Sequence, residues 1–344
     1  GPEVVTSDAF AEIAAFAEAL GAAAWLQTIN WGAFYPSEHP TYMGALSRVQ
    51  TQVRETLAEY DLLVFAGADV LRMSVMSETE PLPEGMPFIQ LGLDDWEMGK
   101  NYPAEMAVRA DLKETLAALI PALERLGGDA HAKTAKARIA ALAETNWTAK
   151  RAAKVEQTRT LAEQTPITTD WLALQTAEAL PANGVFVNEG LTNAFGLLEV
   201  LPFRDRYGFH ALASGGIGWA LPAAIGIQLA HPERPVLALI GDGSAMYSIQ
   251  ALWTAAHLKL PITYVIANNR GYRIIKQRLK AFHGNEHYVG MDFEDPEIDF
   301  VQLARSMGVT AERIEDPQAL RPALDKALAS GGPVLLDVVV ERGV

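Results

Sequence analysis

Val236-Leu237-Ala238-Leu239-Ile240 runs straight into Gly241-Asp242-Gly243-Ser244, and the next apolar run, Ile262 to Ala267, leads into Asn268-Asn269-Arg270-Gly271-Tyr272. Short uninterrupted apolar segments bounded by glycine and polar turn residues are the pattern of strands buried on both faces of a parallel sheet. A helical stretch from about Ser248 to Leu258 separates the two, so together they read as one βαβ unit. Open α/β sheets bind ligands beyond the carboxyl ends of their strands. Two adjacent strand ends therefore bring Asp242 and Asn269, 27 residues apart, within reach of one ion.

The same alternation extends outward in both directions. Upstream, a helix from Ser7 to Leu20 stops at Gly21 before a strand Ala22 to Leu26; a helix Leu46 to Leu57 precedes the strand Leu62 to Ala66. Phe88 to Leu91 reads as a further strand and Leu112 to Leu126 as a helix. From about Asp129 to Gln164 the composition shifts to Ala, Lys, Arg, Glu and Thr, the signature of an exposed helix and connecting segment. Alternation resumes with a helix Thr169–Leu180, a strand Val185 to Val187, a helix after Ala211–Gly218, a helix from about Tyr272 and a last strand Val334 to Val340. The expected fold class is α/β, with two doubly wound parallel-sheet domains joined by a polar linker.

At 344 residues the chain is long enough for two domains of roughly 100–200 residues each. Its 28 basic and 42 acidic residues give a net charge of −14, a field that repels nucleic acid and anionic membrane surfaces. An anionic ligand must then be held by local devices: a metal, helix ends or a small basic cluster. Absence of cysteine excludes disulfides, thiolate nucleophiles and Cys-ligated metal sites, and the expected compartment is cytoplasmic. No apolar run reaches the roughly 18 residues of a membrane span. No histidine spacing argues for zinc, and no Gly-x-Gly-x-x-Gly follows the early strands, which disfavours a nicotinamide dehydrogenase. Trp31, Phe34, Tyr35 and Tyr42 cluster in one stretch, reading as core or interface rather than a platform for a flat cofactor.

A carboxylate, an amide oxygen and a nearby backbone carbonyl are hard ligands suited to Mg²⁺. Gly241 and Gly243 allow close backbone approach, and Ser244 opens a helix whose N–H groups favour phosphate. Gly-Asp-Gly alone is more often a capped strand-to-helix turn; its pairing with Asn268-Asn269 is much more specific. With these residues the sequence resembles the thiamine-diphosphate-dependent decarboxylases and carboligases related to benzoylformate decarboxylase and the acetolactate synthase large subunit. The run Ile225 to Ser244 fits that family's cofactor signature. The likeness implies a Rossmann-like middle domain over 1–145, a linker over 146–166 and a diphosphate-binding domain over 167–344.

By that resemblance Asp242, Asn269 and the Gly271 carbonyl bind Mg²⁺, and Gly241, Gly243, Ser244 and Tyr272 lie near the diphosphate. Asn188-Glu189-Gly190-Leu191-Thr192 resembles a family loop at the diphosphate, making Glu189, Gly190 and Thr192 cofactor-binding candidates; the alternative is a strand-to-helix turn capped by Thr192 or Asn193. Gly215 would offer its carbonyl to the aminopyrimidine, and Ile217 would prop the cofactor into its bent shape. The expected ligands are thiamine diphosphate, Mg²⁺ and a small 2-oxo acid, with FAD in the middle domain unsupported by any motif.

Two departures blur the substrate. Ser74 stands where benzoylformate decarboxylase has a catalytic His, and Arg278 falls at a substrate-facing aromatic. Arg270, Arg273, Lys276, Arg278 and Lys280 form either a solvated cationic face or a contact for a second substrate anion, with Arg278 the leading candidate. The family's activating Glu belongs to a first domain not found in this sequence. Gly1-Pro2-Glu3-Val4 resembles a turn inside the middle domain, so a fragment is expected over a natural separate subunit or a scar of tag removal. The complete protein would be a homodimer or homotetramer that shares pyrimidine-binding domains between chains. Three readings remain: a decarboxylase, an acetolactate-synthase-like carboligase, and a non-catalytic homologue that binds thiamine diphosphate or nothing.

Overall fold

The computed structural model describes residues 1–73 and 77–343, so Ser74 lies outside the described residues. The chain divides into two compact units, Gly1–Ala152 with Pro202–Tyr207, and Ala153–Leu201 with Gly208–Val344.

In the first unit the helix Phe10–Leu20 ends where Gly21 takes φ 62°, and a Cβ there would sit 2.6 Å from the Ala135 Cα. Only glycine satisfies both demands. Strands β1 (Ala24–Leu26) and β2 (Tyr42–Ala45) pair in parallel; β3 (Leu63–Ala66), β4 (Phe88–Gly92) and β5 (Met106–Arg109) form a second parallel sheet in that order. The helix Gln50–Leu57 turns Val53 and Leu57 into a core with Leu63 and Phe88. Phe34, Tyr35 and Tyr42 are buried, and the Tyr35 and Tyr42 rings stack 5.7 Å apart, so the aromatic cluster belongs to the core. Asp111 caps the helix Leu112–Ala143 by accepting from the Glu114 amide; Gly128, at φ 58° and ψ −163°, breaks that helix into two arms. The stretch expected as a linker over 146–166 is largely the helix Trp147–Arg159.

The second unit is one six-stranded parallel sheet. Its strands are β6 (Val185–Glu189), β7 (Phe209–Ala211), β8 (Val236–Gly241), β9 (Ile262–Asn268), β10 (Thr310–Ile314) and β11 (Val334–Val339), in the order β10-β11-β9-β8-β6-β7. Every residue of β8 and β9 is buried, as their unbroken apolar runs require. Val187, Ile240 and Ile266 pack with Ala220, Leu221 and Ala224 of the helix Ala220–Ala230 and with Leu252 and Ala255 of the helix Ala251–His257. The chain steps outward from β6 to β7, then returns to lay β8 on the other side of β6. This reversal is a topological switch point, where open α/β sheets form their ligand crevice.

The α/β architecture with parallel sheets agrees with the sequence expectation. Sequence patterning missed β2, β5, β7 and β10, which are short or mix polar with apolar residues, as edge positions allow. The helix Pro317–Leu328 was missed too, although Asp316 before Pro317 is a start signal; its side chain accepts from the Gln318 amide. Ile266→Ala should lower the stability of the second unit by about 2–5 kcal/mol in denaturant unfolding, through cavity formation in a fully buried strand. Ile275→Ala, at a side chain 44% exposed, should change it by no more than about 0.5 kcal/mol.

Candidate functional site

The carboxyl ends of β6, β8 and β9 converge at the switch point, each with polar residues where the strand stops. Asp242, one residue past β8, is 2% exposed. Its Oδ1 accepts the Gly243 amide at 2.8 Å and its Oδ2 the Gly271 amide at 3.1 Å. The same Gly271 amide donates to Asn269 Oδ1 at 3.1 Å, so one N–H ties together the two side chains expected to share an ion. Burial pushes the Asp242 carboxyl up to about 6, and no cation pairs with it among the described residues. A small divalent cation would supply the missing positive charge, and the carboxylate and amide oxygens are the hard donors Mg²⁺ takes. The Gly271 carbonyl, expected as a third ligand, accepts the Arg273 amide at 3.0 Å and keeps one lone pair.

Glycine is required at two points here. A Cβ on Gly243 would lie 2.7 Å from the Tyr272 ring, which packs edge-on against Phe293 at 4.8 Å; a Cβ on Gly271 would meet the Met291 carbonyl at 2.5 Å. Tyr272 therefore closes over Gly243. Ser244 Oγ is buried without a hydrogen-bond partner, the Glu189 carboxylate being its polar neighbour. The helix it belongs to, Asp242–Ala245, is one turn long.

Glu189 is held by backbone amides. Its side chain is 1% exposed, and its two oxygens accept the Gly218 and Ala220 amides at 2.5 Å each. It thus anchors the end of the glycine loop to the strand end, at the start of the helix Ala220–Ala230. Gly218 sits at φ +94° with the Tyr247 Cβ 2.6 Å from where its own would be, so the loop closes tightly at that point. Beyond it Ser214, Gly215 and Gly216 are exposed and Ile217 is half-buried. Gly190 follows Glu189, its amide capped by Asn188 Oδ1 at 3.0 Å, and Thr192 is buried in the following turn.

Sequence reasoning gave two residues too little weight. Asn193, considered only as a helix cap, is 2% exposed; its Oδ1 accepts from Asn269 Nδ2 at 3.1 Å and Arg273 at 3.3 Å, and its Nδ2 donates to the Ala267 carbonyl at 3.4 Å. It fixes which way the Asn269 amide faces. Asp337, on β11 and fully buried, accepts from Asn268 Nδ2 at 2.9 Å and Arg313 Nε at 2.8 Å. Asn268 Oδ1 in turn accepts the amide of Arg270, a left-handed residue at φ 60°, and Glu297 pairs with both Arg270 (2.9 Å) and Arg313 (3.4 Å). This closed ring holds the outside of the loop whose inside carries Asn269 and Gly271. No sequence motif signalled it, since its members come from four separate segments.

The cationic helix Arg273–His283 has no buried residue. Arg273 reaches Glu341 and Asn193, Lys276 pairs with Asp292, and Lys280 with Glu286 at 2.6 Å. Arg278 is exposed, and no ion pair is formed by it among the described residues. The structure groups Asp242, Asn269, Gly271, Gly243, Ser244 and Tyr272 at one crevice and leaves Arg278 on an open helix face.

Residues 194–338 match the family description "Thiamine pyrophosphate enzyme, C-terminal TPP binding domain", and residues 1–119 match "Thiamine pyrophosphate enzyme, central domain". The chain belongs to the thiamine pyrophosphate enzyme family. Within the family it is 30% identical over 339 residues to the benzoylformate decarboxylase of Pseudomonas aeruginosa, covering 98% of this chain and 60% of that protein. It is 30% identical over 296 residues to the acetolactate synthase large subunit of Parasynechococcus marenigrum, covering 83% of this chain and 44% of the relative. A solved thiamine diphosphate-dependent 4-hydroxybenzoylformate decarboxylase from Rhodococcus jostii RHA1 superposes with a TM-score of 0.83 at 27% identity, covering all of this chain and 60% of that one. This thiamine pyrophosphate enzyme chain thus spans about 60% of the decarboxylases it matches. Among the described residues no helix is long and apolar enough to cross a membrane.

Two predictions follow from the geometry of this family member's crevice. A carboxyl whose folded pKa is raised contributes stability below its unfolded value, near 3.8, and loses it as pH climbs through about 6. For Asp242 this is about 3 kcal/mol, so the metal-free chain should lose that stability between pH 4 and pH 7, and Asp242→Asn should flatten the loss in urea titrations at each pH. Glu189→Ala leaves two amides without their acceptor and should cost about 2–4 kcal/mol, read by thermal unfolding.

Proposed function

We propose that this chain provides the diphosphate- and Mg²⁺-binding part of an enzyme that decarboxylates a 2-oxo acid without oxidation, in the manner of benzoylformate decarboxylase. The observation that carries the proposal is the Asp242–Gly271–Asn269 cluster at the switch point of a thiamine pyrophosphate-binding domain. Similarity over 98% of the chain to a benzoylformate decarboxylase favours the decarboxylase side of the family.

Bound thiamine diphosphate supplies a nucleophilic carbon and an electron sink for loss of CO₂ from a 2-oxo acid. Asp242 and Asn269 would hold the cation that carries the diphosphate, with the Gly271 carbonyl as a third donor. Gly190, Thr192, Gly241, Gly243, Ser244 and Tyr272 line the same edge and would surround the diphosphate. In this reading Gly215 turns its carbonyl to the aminopyrimidine, Ile217 packs under the bend of the cofactor, and Glu189 holds their loop in place from beneath. Arg278, exposed on its helix, offers a bidentate contact for a substrate anion. The activating glutamate is assigned to a pyrimidine-binding domain outside these residues, on the same or a neighbouring chain of a cytoplasmic homodimer or homotetramer. The chain by itself should therefore bind cofactor weakly and not turn over.

Calorimetry with thiamine diphosphate and Mg²⁺ should show binding that is lost, at least tenfold in affinity, in Asp242→Ala. Unchanged binding in that variant removes the metal assignment, and no heat from either protein favours a non-catalytic homologue. Assayed in the longer protein, aryl 2-oxo acids should give aldehyde and CO₂. Acetolactate or acetoin as the dominant product from pyruvate would instead select the carboligase reading, which similarity to acetolactate synthase supports.

A further inference from the structure

Arg273 sits where a cation is poorly placed. It is the first residue of the helix Arg273–His283, at the positive end of the helix dipole, and its side chain is only 13% exposed. Its Nε is buried without a hydrogen-bond partner, and the carboxylate it pairs with, Glu341, lies 3.9 Å from Nη2. Lys280, further along the same helix, holds Glu286 at 2.6 Å. A loose ion pair does not account for burying this guanidinium. Its closer contacts are two hydrogen bonds from Nη1, to Asn193 Oδ1 and to the Glu341 main-chain carbonyl, both at 3.3 Å.

Those bonds carry polarity. A side-chain amide is nearly symmetric in shape, so its neighbours decide which end presents oxygen and which nitrogen. Asn193 and Asn269 are two such groups in series, both buried. A guanidinium only donates, and a peptide carbonyl only accepts. Arg273 and the Ala267 carbonyl, 3.4 Å from Asn193 Nδ2, therefore admit one orientation of Asn193, with its oxygen toward Arg273. With that oxygen fixed, Asn269 must offer it nitrogen, at 3.1 Å, and turns its own oxygen to the Gly271 amide beside Asp242. The Gly271 amide does not enforce this alone, because it also donates to Asp242 Oδ2 at 3.1 Å and keeps that bond if Asn269 turns over. Were Asn193 to turn over, Asn269 would turn with it and present an NH₂ group where a cation needs oxygen. Arg273 is itself braced: the Glu341 amide donates to the Ile167 carbonyl at 3.0 Å, and the Glu341 carboxylate accepts from the Thr169 amide and hydroxyl at 3.4 and 3.2 Å.

We propose that Arg273 is a positioning residue for the metal site: through Asn193 it sets the polarity of Asn269, so that amide oxygen and not amide nitrogen meets the cation. The inference rests on the Mg²⁺ assignment of Asp242 and Asn269 made above. It gives Arg273 a role distinct from both a solvated cationic face and a contact for a substrate anion. It also has a distinctive sign. A positive charge near a cation site opposes binding by Coulomb repulsion, so its removal alone would tighten Mg²⁺, whereas loss of the relay weakens it.

The test is calorimetric titration of the chain with Mg²⁺ at a fixed, saturating concentration of thiamine diphosphate. Arg273→Met keeps the stem and removes the donors; it should weaken Mg²⁺ about tenfold, as when about a tenth of the sites hold the competent orientation. Arg273→Gln, whose end group can donate or accept, should weaken it similarly, while Arg273→Lys, which only donates, should stay within about threefold of the parent. Asn193→Leu should weaken Mg²⁺ by itself, and adding Arg273→Met to it should change nothing further. Unchanged or tighter Mg²⁺ binding in both Arg273→Met and Arg273→Gln overturns the proposal, as do additive losses in the double variant. So does a loss of affinity that follows the unfolding temperatures of the metal-free variants. Loss of thiamine diphosphate binding without Mg²⁺ would make Arg273 an anion ligand and reject the relay. If Arg273→Met does not fold, Arg273→Gln against Arg273→Lys carries the same comparison. Asp242→Ala separates the two levels of inference: loss of Mg²⁺ there with none in the Arg273 variants sinks the relay alone. Binding equal to the parent's in Asp242→Ala, or no Mg²⁺ binding by the parent, removes the metal assignment and the relay with it.

Discussion

One backbone amide organises the second unit's crevice. The Gly271 N–H donates to both Asp242 and Asn269, and it reaches them because β8 and β9 are adjacent, parallel and wholly buried. Hydrophobic burial of the two strands sets their spacing, and the spacing delivers two polar side chains to one point. The result is a carboxylate held out of water, a state that disfavours its charged form.

Around that amide the protein builds support through hydrogen bonds between residues of several separate segments. Asn193 orients the Asn269 amide from below, while Asp337, Arg313, Glu297 and Asn268 hold the left-handed Arg270 in place from outside. Glu189 performs the equivalent service for the glycine loop by binding the two amides at its end. Charged groups at these buried positions cost desolvation, and each is offset by hydrogen bonds whose geometry the sheet predetermines. Gly215 and Ile217, by contrast, lie on the open part of the loop, where nothing in this chain constrains them as closely.

The first unit is held together by separate apolar cores. Val53 and Leu57 of the helix Gln50–Leu57 pack with Leu63 and Phe88, while β1 and β3 line a cavity of about 830 Å³ walled in part by Ile13, Phe16 and Leu20. Burial of β3 is accordingly partial, in contrast to the wholly buried β8 and β9.

Much of this was legible in the amino-acid order. Continuous apolar runs announced β8 and β9, and Gly-Asp-Gly with Asn-Asn marked the polar residues that meet at their ends, because those patterns depend on neighbours a few residues apart. Short polar strands such as β10 went unread, since their pairing comes from β11 and not from their own composition. The sequence by itself determined the parallel α/β class, the family, and the side chains that meet at the crevice. Only the tertiary structure decided that Glu189 serves as an anchor and that Asn193 and Asp337 steer the asparagine loop. The reason is physical: these roles arise from hydrogen bonds between residues distant in sequence, and no local period or spacing encodes such a contact.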